Sequence, residues 1–268
     1  MITIKSRREF AKMARAGSVV ATVHEEVQEA AGPGVSLDEL DEIGAQVIAA
    51  HGCTPSFLGY LDYPKSLCLS PNDVIVHGIP NGYRLREGDI LAVDAGAVYE
   101  GFHGDAAFTM AIAEVSHSAR DLIDTTEEAM WAGIRAIRKG ARLGDVGSAI
   151  HRVGAAAGYG VVEEYVGHGI GREMHEEPQV PNYGSPGKGM KLRTGMALCV
   201  EPMFNLGGRH TKVDSDGWTV RTADGSLSAH WEHTVALTPD GPMVFTAGDE
   251  PLPVEFEEAE AHRYHSNS

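Results

Sequence analysis

The chain has 268 residues, long enough to bury about 70% of its unfolded surface and fold without a disulfide or metal staple. Lys plus Arg is 22 against 38 Asp plus Glu, a formal charge of −16, which disfavours non-specific binding to nucleic acid or an anionic membrane. Cys53, Cys68 and Cys199 are odd in number and lack CxxC spacing, so they read as reduced thiols. The N-terminus, MITIKSRREF, has no apolar signal stretch and no run reaches 18 apolar residues, so the expectation is a cytoplasmic protein without a membrane span.

Four helices are expected in chain order. Phe10, Met13, Gly17, Val20 and Val27 recur at helical steps over 6–30, with Ser6 and Glu9 as a capping box. Ser36 with Glu39 opens a second helix striped by Leu37, Leu40, Ile43 and Val47, and Gly52 ends it. A third runs from about Ser118 to Lys139, and a fourth from Leu143 to Gly158. Alternating segments at Ile90–Val98, Ala106–Ile112, Met196–Val200 and Thr234–Leu237 read as strands. Gly34, Leu37, Ala49, Ala50 and Gly52 recur as Gly140, Leu143, Ala155, Ala156 and Gly158, a constant offset of 106. Shared helix composition alone produces such matches; a true repeat implies two similar α+β halves around one mixed or antiparallel sheet, helices on one face. Residues 1–248 read as one domain. Residues 249–268 hold six acids and one Arg and read as a flexible, solvated tail.

Several acids sit where acids are disfavoured. Asp94 interrupts the apolar strand Leu91-Ala92-Val93-Asp94-Ala95-Gly96, where a buried unpaired carboxylate costs several kcal/mol. If the following hairpin centres on the Tyr99–Glu100 bond, Asp105 falls directly opposite it, and two like charges there need a proton or a cation between them. An alternative is that one Asp faces water. His168 lies in Gly167-His168-Gly169-Ile170-Gly171, seven residues before His175; the spacing differs from a helical HExxH site. Glu201 ends the strand Met196–Val200 before Pro202, and Glu232 lies in Ala-His-Trp-Glu-His-Thr-Val. Singly, a histidine in a Gly-rich loop is more often a surface or hydrogen-bonded residue than a ligand, and each glutamate also reads as a strand-end carboxylate facing water. Together, two Asp, two Glu and one His suit Mn, Fe, Co or Zn, and four carboxylates offset two divalent cations.

The ordered set KSLCLSPNDVIVHGIP, LAVDAGAVYEGFHGDAA, GHGIGREMHEEP, ALCVEPM and WEHTVALT, spanning about residues 5–245, resembles the type I methionine aminopeptidases. The resemblance implies the pita-bread fold: α+β, two pseudo-symmetric halves, a curved and mostly antiparallel sheet, helices outside. It implies removal of the initiator methionine from nascent chains whose second residue is small, through hydroxide activated by two divalent metal ions. Asp94, Asp105, His168, Glu201 and Glu232 match the metal ligands, with Asp105 and Glu232 bridging. His77 and His175 match the substrate-facing histidines, and Glu201 is the expected proton carrier. Phe57, Tyr60, Tyr63, Cys68, Met174 and Trp218 match the lining of the methionine pocket. Phe57 stands where many members carry Cys, Met174 where an aromatic is frequent, and Gly96 where Thr is often found. A monomer is expected, with nascent polypeptide as partner and possible ribosome association. Xaa-Pro peptidases share the fold but add an N-terminal domain, and only 93 residues precede Asp94. Type II members carry an insertion for which the 33 residues from His168 to Glu201 and the 31 from Glu201 to Glu232 leave no room. Non-catalytic or creatinase-like relatives lose metal ligands, and all five are present.

Overall fold

The computed structural model describes residues 2–254. Its four helices are α1 (Arg7–Ala30), α2 (Leu37–Ala50), α3 (His117–Arg135) and α4 (Leu143–Ala157). Both expected capping boxes form. The Ser6 N–H donates to Glu9 Oε2 at 2.8 Å and the Ser36 N–H to Glu39 Oε2 at 2.7 Å, while each serine hydroxyl accepts from the glutamate N–H. The third helix starts at Ser116 as N-cap and ends four residues before the expected Lys139. Its last turn tightens, with the Ala136 and Ile137 N–H groups donating to Gly133 and Ile134. That tightening turns Ile137 into the core and lets the chain double back.

The main sheet is antiparallel in all its pairings. Its order is Thr54–Pro55, Ile90–Tyr99, Phe102–Ala111, Glu232–Thr238, Ala197–Val200, Gly167–Gly169 and Glu176–Val180, with Leu67–Pro71 also on Ile90–Tyr99. Gly241–Val244 pairs with Glu232–Thr238, and Leu252–Pro253 adds to it, so pairing continues beyond residue 248. The rest of the acidic segment, 255–268, lies outside the described residues. The helices cover one face. Val20, Val23 and Leu40 pack with Leu91 and Val93 in one core, and Met130, Ile134 and Ile150 pack with Leu198 and Val200 in another. α1 approaches the sheet so closely that a Cβ on Gly104 would lie 2.6 Å from the Gly17 backbone nitrogen. No helix among the described residues is long and apolar enough to cross a membrane.

The internal repeat is structural. Ser36 and Arg142, the two N-cap residues, each make an isolated antiparallel bridge, to Arg84 and Lys191. The Leu37 N–H donates to Tyr83 and the Leu143 N–H to Met190, both at 3.0 Å. Gly34 and Gly140 carry φ of 94° and 91° at matching places. Two copies of one helix-to-sheet junction thus flank the centre of the molecule.

The Ile90–Tyr99 and Phe102–Ala111 strands join through a two-residue turn, Glu100-Gly101, with φ of 46° and 78°. Tyr99 pairs with Phe102, Asp94 with Ala107 and Gly96 with Asp105. The turn therefore centres one residue later than expected. Asp94 and Asp105 are diagonal neighbours rather than directly opposed. Because the shift in pairing is two residues, both still share one face of the sheet.

Candidate metal centre and catalytic cleft

Five elements of the uncovered face converge on a cleft of about 280 Å³. Asp94 and Asp105 come from the hairpin, His168 from Gly167–Gly169, Glu201 from just past Ala197–Val200, and Glu232 from the first residue of its strand. Pro202 cannot donate a ladder hydrogen bond, so the strand stops and leaves Glu201 at its tip. Asp105 and Glu232 are each only 2% exposed. Ligand atoms of Asp105, His168, Cys199 and Glu232 lie within 4.8 Å of one another, as do those of Glu201, His230 and Glu232. Asp94 is in hydrogen-bonding reach of Asp105.

This donor set fits divalent metal ions. Asp94 Oδ1, Asp105 Oδ1, Glu201 Oε1 and Glu232 Oε1 are buried with no hydrogen-bond partner. Native proteins leave few such atoms unmet. Burial, reinforced by the neighbouring carboxylates, pushes Asp94, Glu201 and Glu232 well above the usual carboxylate range. Burial carries Asp105 to about 7. The His168 Nδ1 lies 2.9 Å from its neighbour Gly169's carbonyl, to which it donates. Burial draws the ring's pKa down to about 3, so it is neutral and its Nε2 is a bare lone pair. That lone pair faces Glu201 Oε1 at 3.4 Å and Asp105 Oδ2 at 3.9 Å. Acceptors facing acceptors at these distances call for a proton or a cation between them.

One wall is an apolar cage. Phe57, Tyr63, Cys68 and Met174 form a single buried cluster, with Tyr60, Ile79 and Trp218 packed on it. All six residues assigned to the methionine pocket are therefore together. Tyr63 and Trp218 meet edge to face at 5.0 Å, and Tyr63 donates from its hydroxyl to the Leu67 and Gly78 carbonyls, both at 3.0 Å. Phe57 and Gly96 adjoin. A Cβ on Gly96 would lie 2.7 Å from Ser56 Cβ and 3.0 Å from the Phe57 ring, so Ser56 and Phe57 together occupy the room a threonine at 96 would need.

Between cage and carboxylates stand the histidines. His77 has φ of 59°, strained for a residue with a Cβ. Its ring packs edge-on at 6.1 Å from Trp218, and burial brings its pKa to about 4. His175 lies 4.3 Å from the His168 ring, and burial also lowers its pKa. Its Nδ1 is 2.8 Å from the Tyr60 hydroxyl, and burial raises the phenol's pKa. The loop carrying His175 is anchored by Glu176. This carboxylate takes Lys5 Nζ at 2.7 Å and the Thr3 hydroxyl on one oxygen, and the Arg172 N–H at 3.0 Å on the other.

His230 is a site residue that the motifs did not single out. Its Nε2 is buried without a hydrogen-bond partner and stands 4.0 Å from both Glu201 and Glu232. Burial draws its pKa to about 3, making it another neutral imidazole. The signal was its two-residue spacing from Glu232, which puts both on one face of an extended segment. Tyr165, 5.7 Å from His77, and Leu61 also line the cleft.

A profile of metallopeptidase family M24 matches residues 11–239. Methionine aminopeptidase 1 of Mycobacterium tuberculosis is 49% identical, with 91% of this chain and 94% of that one aligned. Methionine aminopeptidase of Clostridium acetobutylicum is 47% identical over 92% of this chain and 99% of its own. The crystal structure of methionine aminopeptidase from Rickettsia prowazekii superposes with a TM-score of 0.90 at 40% identity, covering 92% of this chain and all of that one. Prolidase from Pyrococcus furiosus reaches 0.71 at 20% identity over 91% of this chain and 65% of its own, a likeness of fold alone.

Proposed function

From the premise that the chain belongs to metallopeptidase family M24, among its methionine aminopeptidases, we propose how this cleft excises an N-terminal methionine. The enzyme is a metal-dependent exopeptidase. Asp94, Asp105, His168, Glu201 and Glu232 would hold two divalent ions of the Co, Mn, Fe or Zn class, with His230 beside the same carboxylates. When bound, such ions polarise the scissile carbonyl and make water nucleophilic at neutral pH. The observation that carries this reading is the convergence of four unpaired carboxylate oxygens beside a neutral imidazole, directly against an apolar cage.

The remaining work falls to side chains. Phe57, Tyr60, Tyr63, Cys68, Met174 and Trp218 enclose an unbranched thioether, which needs flexible apolar contact rather than hydrogen bonds. The acids at the cleft floor receive the free α-amine, which restricts cleavage to the first peptide bond. Glu201, at the tip of its strand, takes a proton from the attacking water and passes it to the leaving nitrogen. With the Tyr60 phenol as the donor to His175 Nδ1, 2.8 Å away, the neutral ring carries its proton on Nε2 and donates to the developing oxyanion. His77 orients the scissile amide. A small second residue in the substrate, action on nascent chains in the cytoplasm at or near the ribosome, and a monomeric enzyme complete the reading. The test is metal-dependent release of methionine from Met-Ala-Ser beside proline-containing peptides. Met-Ala cleavage is expected to dominate; faster cleavage of an Xaa-Pro bond overturns the assignment.

A further inference from the structure

The sheet has a second concavity, under the helices. Side chains along a strand alternate between faces. His230 and Glu232 line the catalytic cleft, and the intervening Trp231 and the following His233 point to the other side. Pairing between the Phe102–Ala111 and Glu232–Thr238 strands reaches only from Ala106↔His233 to Ala107↔Glu232. Beyond Ala107 the strands part, and α1 and α3 border the gap. The resulting cavity is about 240 Å³, close to the size of the catalytic cleft.

Its walls are aromatic. The Phe108 ring lies 6.3 Å from that of Trp231 and 4.7 Å from that of His24. Its charged lining is Glu25, Asp124 and Glu127 against Arg120, a negative balance. Three buried polar atoms of lining residues have no hydrogen-bond partner: His24 Nε2, Asp124 Oδ1 and Trp231 Nε1. His24 hydrogen-bonds the Ala106 backbone, and burial, helped by nearby His233, lowers its pKa to about 3. With Nε2 unpartnered, that bond uses the other ring nitrogen as donor, and Nε2 is a bare acceptor. Asp124 Oδ1 is a second acceptor. Trp231 Nε1 is a donor only.

The two acceptors and the net negative lining complement a positively charged group with N–H donors on a flat apolar body, which would meet Trp231 through its ring rather than its N–H. We propose that the cavity is a binding site for a small organic cation, a protonated amine whose N–H groups meet His24 Nε2 and Asp124 Oδ1 while its body lies against Phe108 and Trp231. It is not a metal site. Among the described residues, the side chains that converge closely enough to hold an ion belong to the cleft cluster. The proposal is independent of the catalytic reading.

Two methionines separate the cavities: Met110 lines this one and Met174 the catalytic cleft. The metal-loaded protein, labelled with ¹³C at its methionine methyls, is titrated with phenethylamine and, separately, with 3-phenylpropanoate. The Met110 resonance is expected to shift saturably with the amine and about tenfold more weakly with the anion. Asp124→Asn is expected to weaken the amine about fivefold, with the Met110 line still reporting a folded protein. An unmoved Met110 resonance, equal response to both probes, a shift confined to Met174, or an unaffected folded Asp124→Asn protein overturns the proposal. The charge comparison on the unaltered protein decides the matter even if the variant fails to fold.

Discussion

The two halves of the molecule build the same junction and finish it differently. Gly88 and Gly195 carry φ of 92° and 94° and lead into Ile90–Tyr99 and Ala197–Val200. Six residues past each glycine stands a cleft acid, Asp94 in the first half and Glu201 in the second. In the first half the strand runs five residues further, turns tightly and returns with Asp105. The short Asp94 side chain is thus carried by a ladder paired on both edges, with Cys68 and with Ala107. In the second half Pro202 ends the ladder, and the acid is a glutamate with one more rotatable bond. The paired half holds its acids on a fixed ladder, and the truncated half ends in a longer acid, the one proposed above to carry the proton.

That contrast is broken most severely by Glu201→Gln. It keeps volume and removes the proton carrier, so turnover of Met-Ala-Ser is expected to fall by about 10²–10⁴-fold while the far-ultraviolet circular dichroism stays unchanged. Near-normal activity contradicts the role. A second effect falls on the metal-free protein. Burial holds Asp105 near 7, above its usual 3.8, so the folded state binds more protons than the unfolded one between those values. Its contribution to stability is complete below about pH 4 and is lost as pH rises through 7. Thermal melts of metal-free protein are expected to drop by several degrees over that window, on the order of a few kcal/mol, and metal should remove most of the slope. A flat metal-free profile contradicts the burial argument. Gly96→Thr probes the hairpin against Phe57: it is expected to cost about 1–3 kcal/mol in denaturant melts, with Phe57→Cys recovering part of the loss. Additive effects would show that the two positions are not coupled. The smallest test compares the repeated junctions. Ser36→Ala should cost about 1 kcal/mol, and Asp145→Ala, removing the acceptor of the Arg142 N–H at 2.7 Å, a similar amount.

The sequence was most readable where structure is local. Ser6 with Glu9 and Ser36 with Glu39 sit three residues apart, and the boxes form as the spacing requires. The hairpin register was misplaced because Glu100, an unusual occupant of a positive-φ turn position, hid the two-residue turn it makes with Gly101. Period-2 alternation protected the conclusion that mattered, since a two-residue shift keeps Asp94 and Asp105 on one face. His230 went unnoticed because an imidazole in an apolar strand looks like a satisfied core residue until its neighbours across the sheet are known. The aromatic cavity was invisible for the same reason: Ala21, Phe108, Asp124 and Trp231 come from four distant segments.

The central claim is that the carboxylates of both halves close on metal ions that the chemistry requires. Metal-free protein titrated anaerobically with Mn²⁺, with binding and Met-Ala-Ser turnover followed in parallel, tests it most directly. Two equivalents bound per chain, activity absent without metal, and loss of binding in Glu232→Gln are the predicted results. Full turnover in the presence of excess chelator, or undiminished two-ion binding in Glu232→Gln, would contradict it.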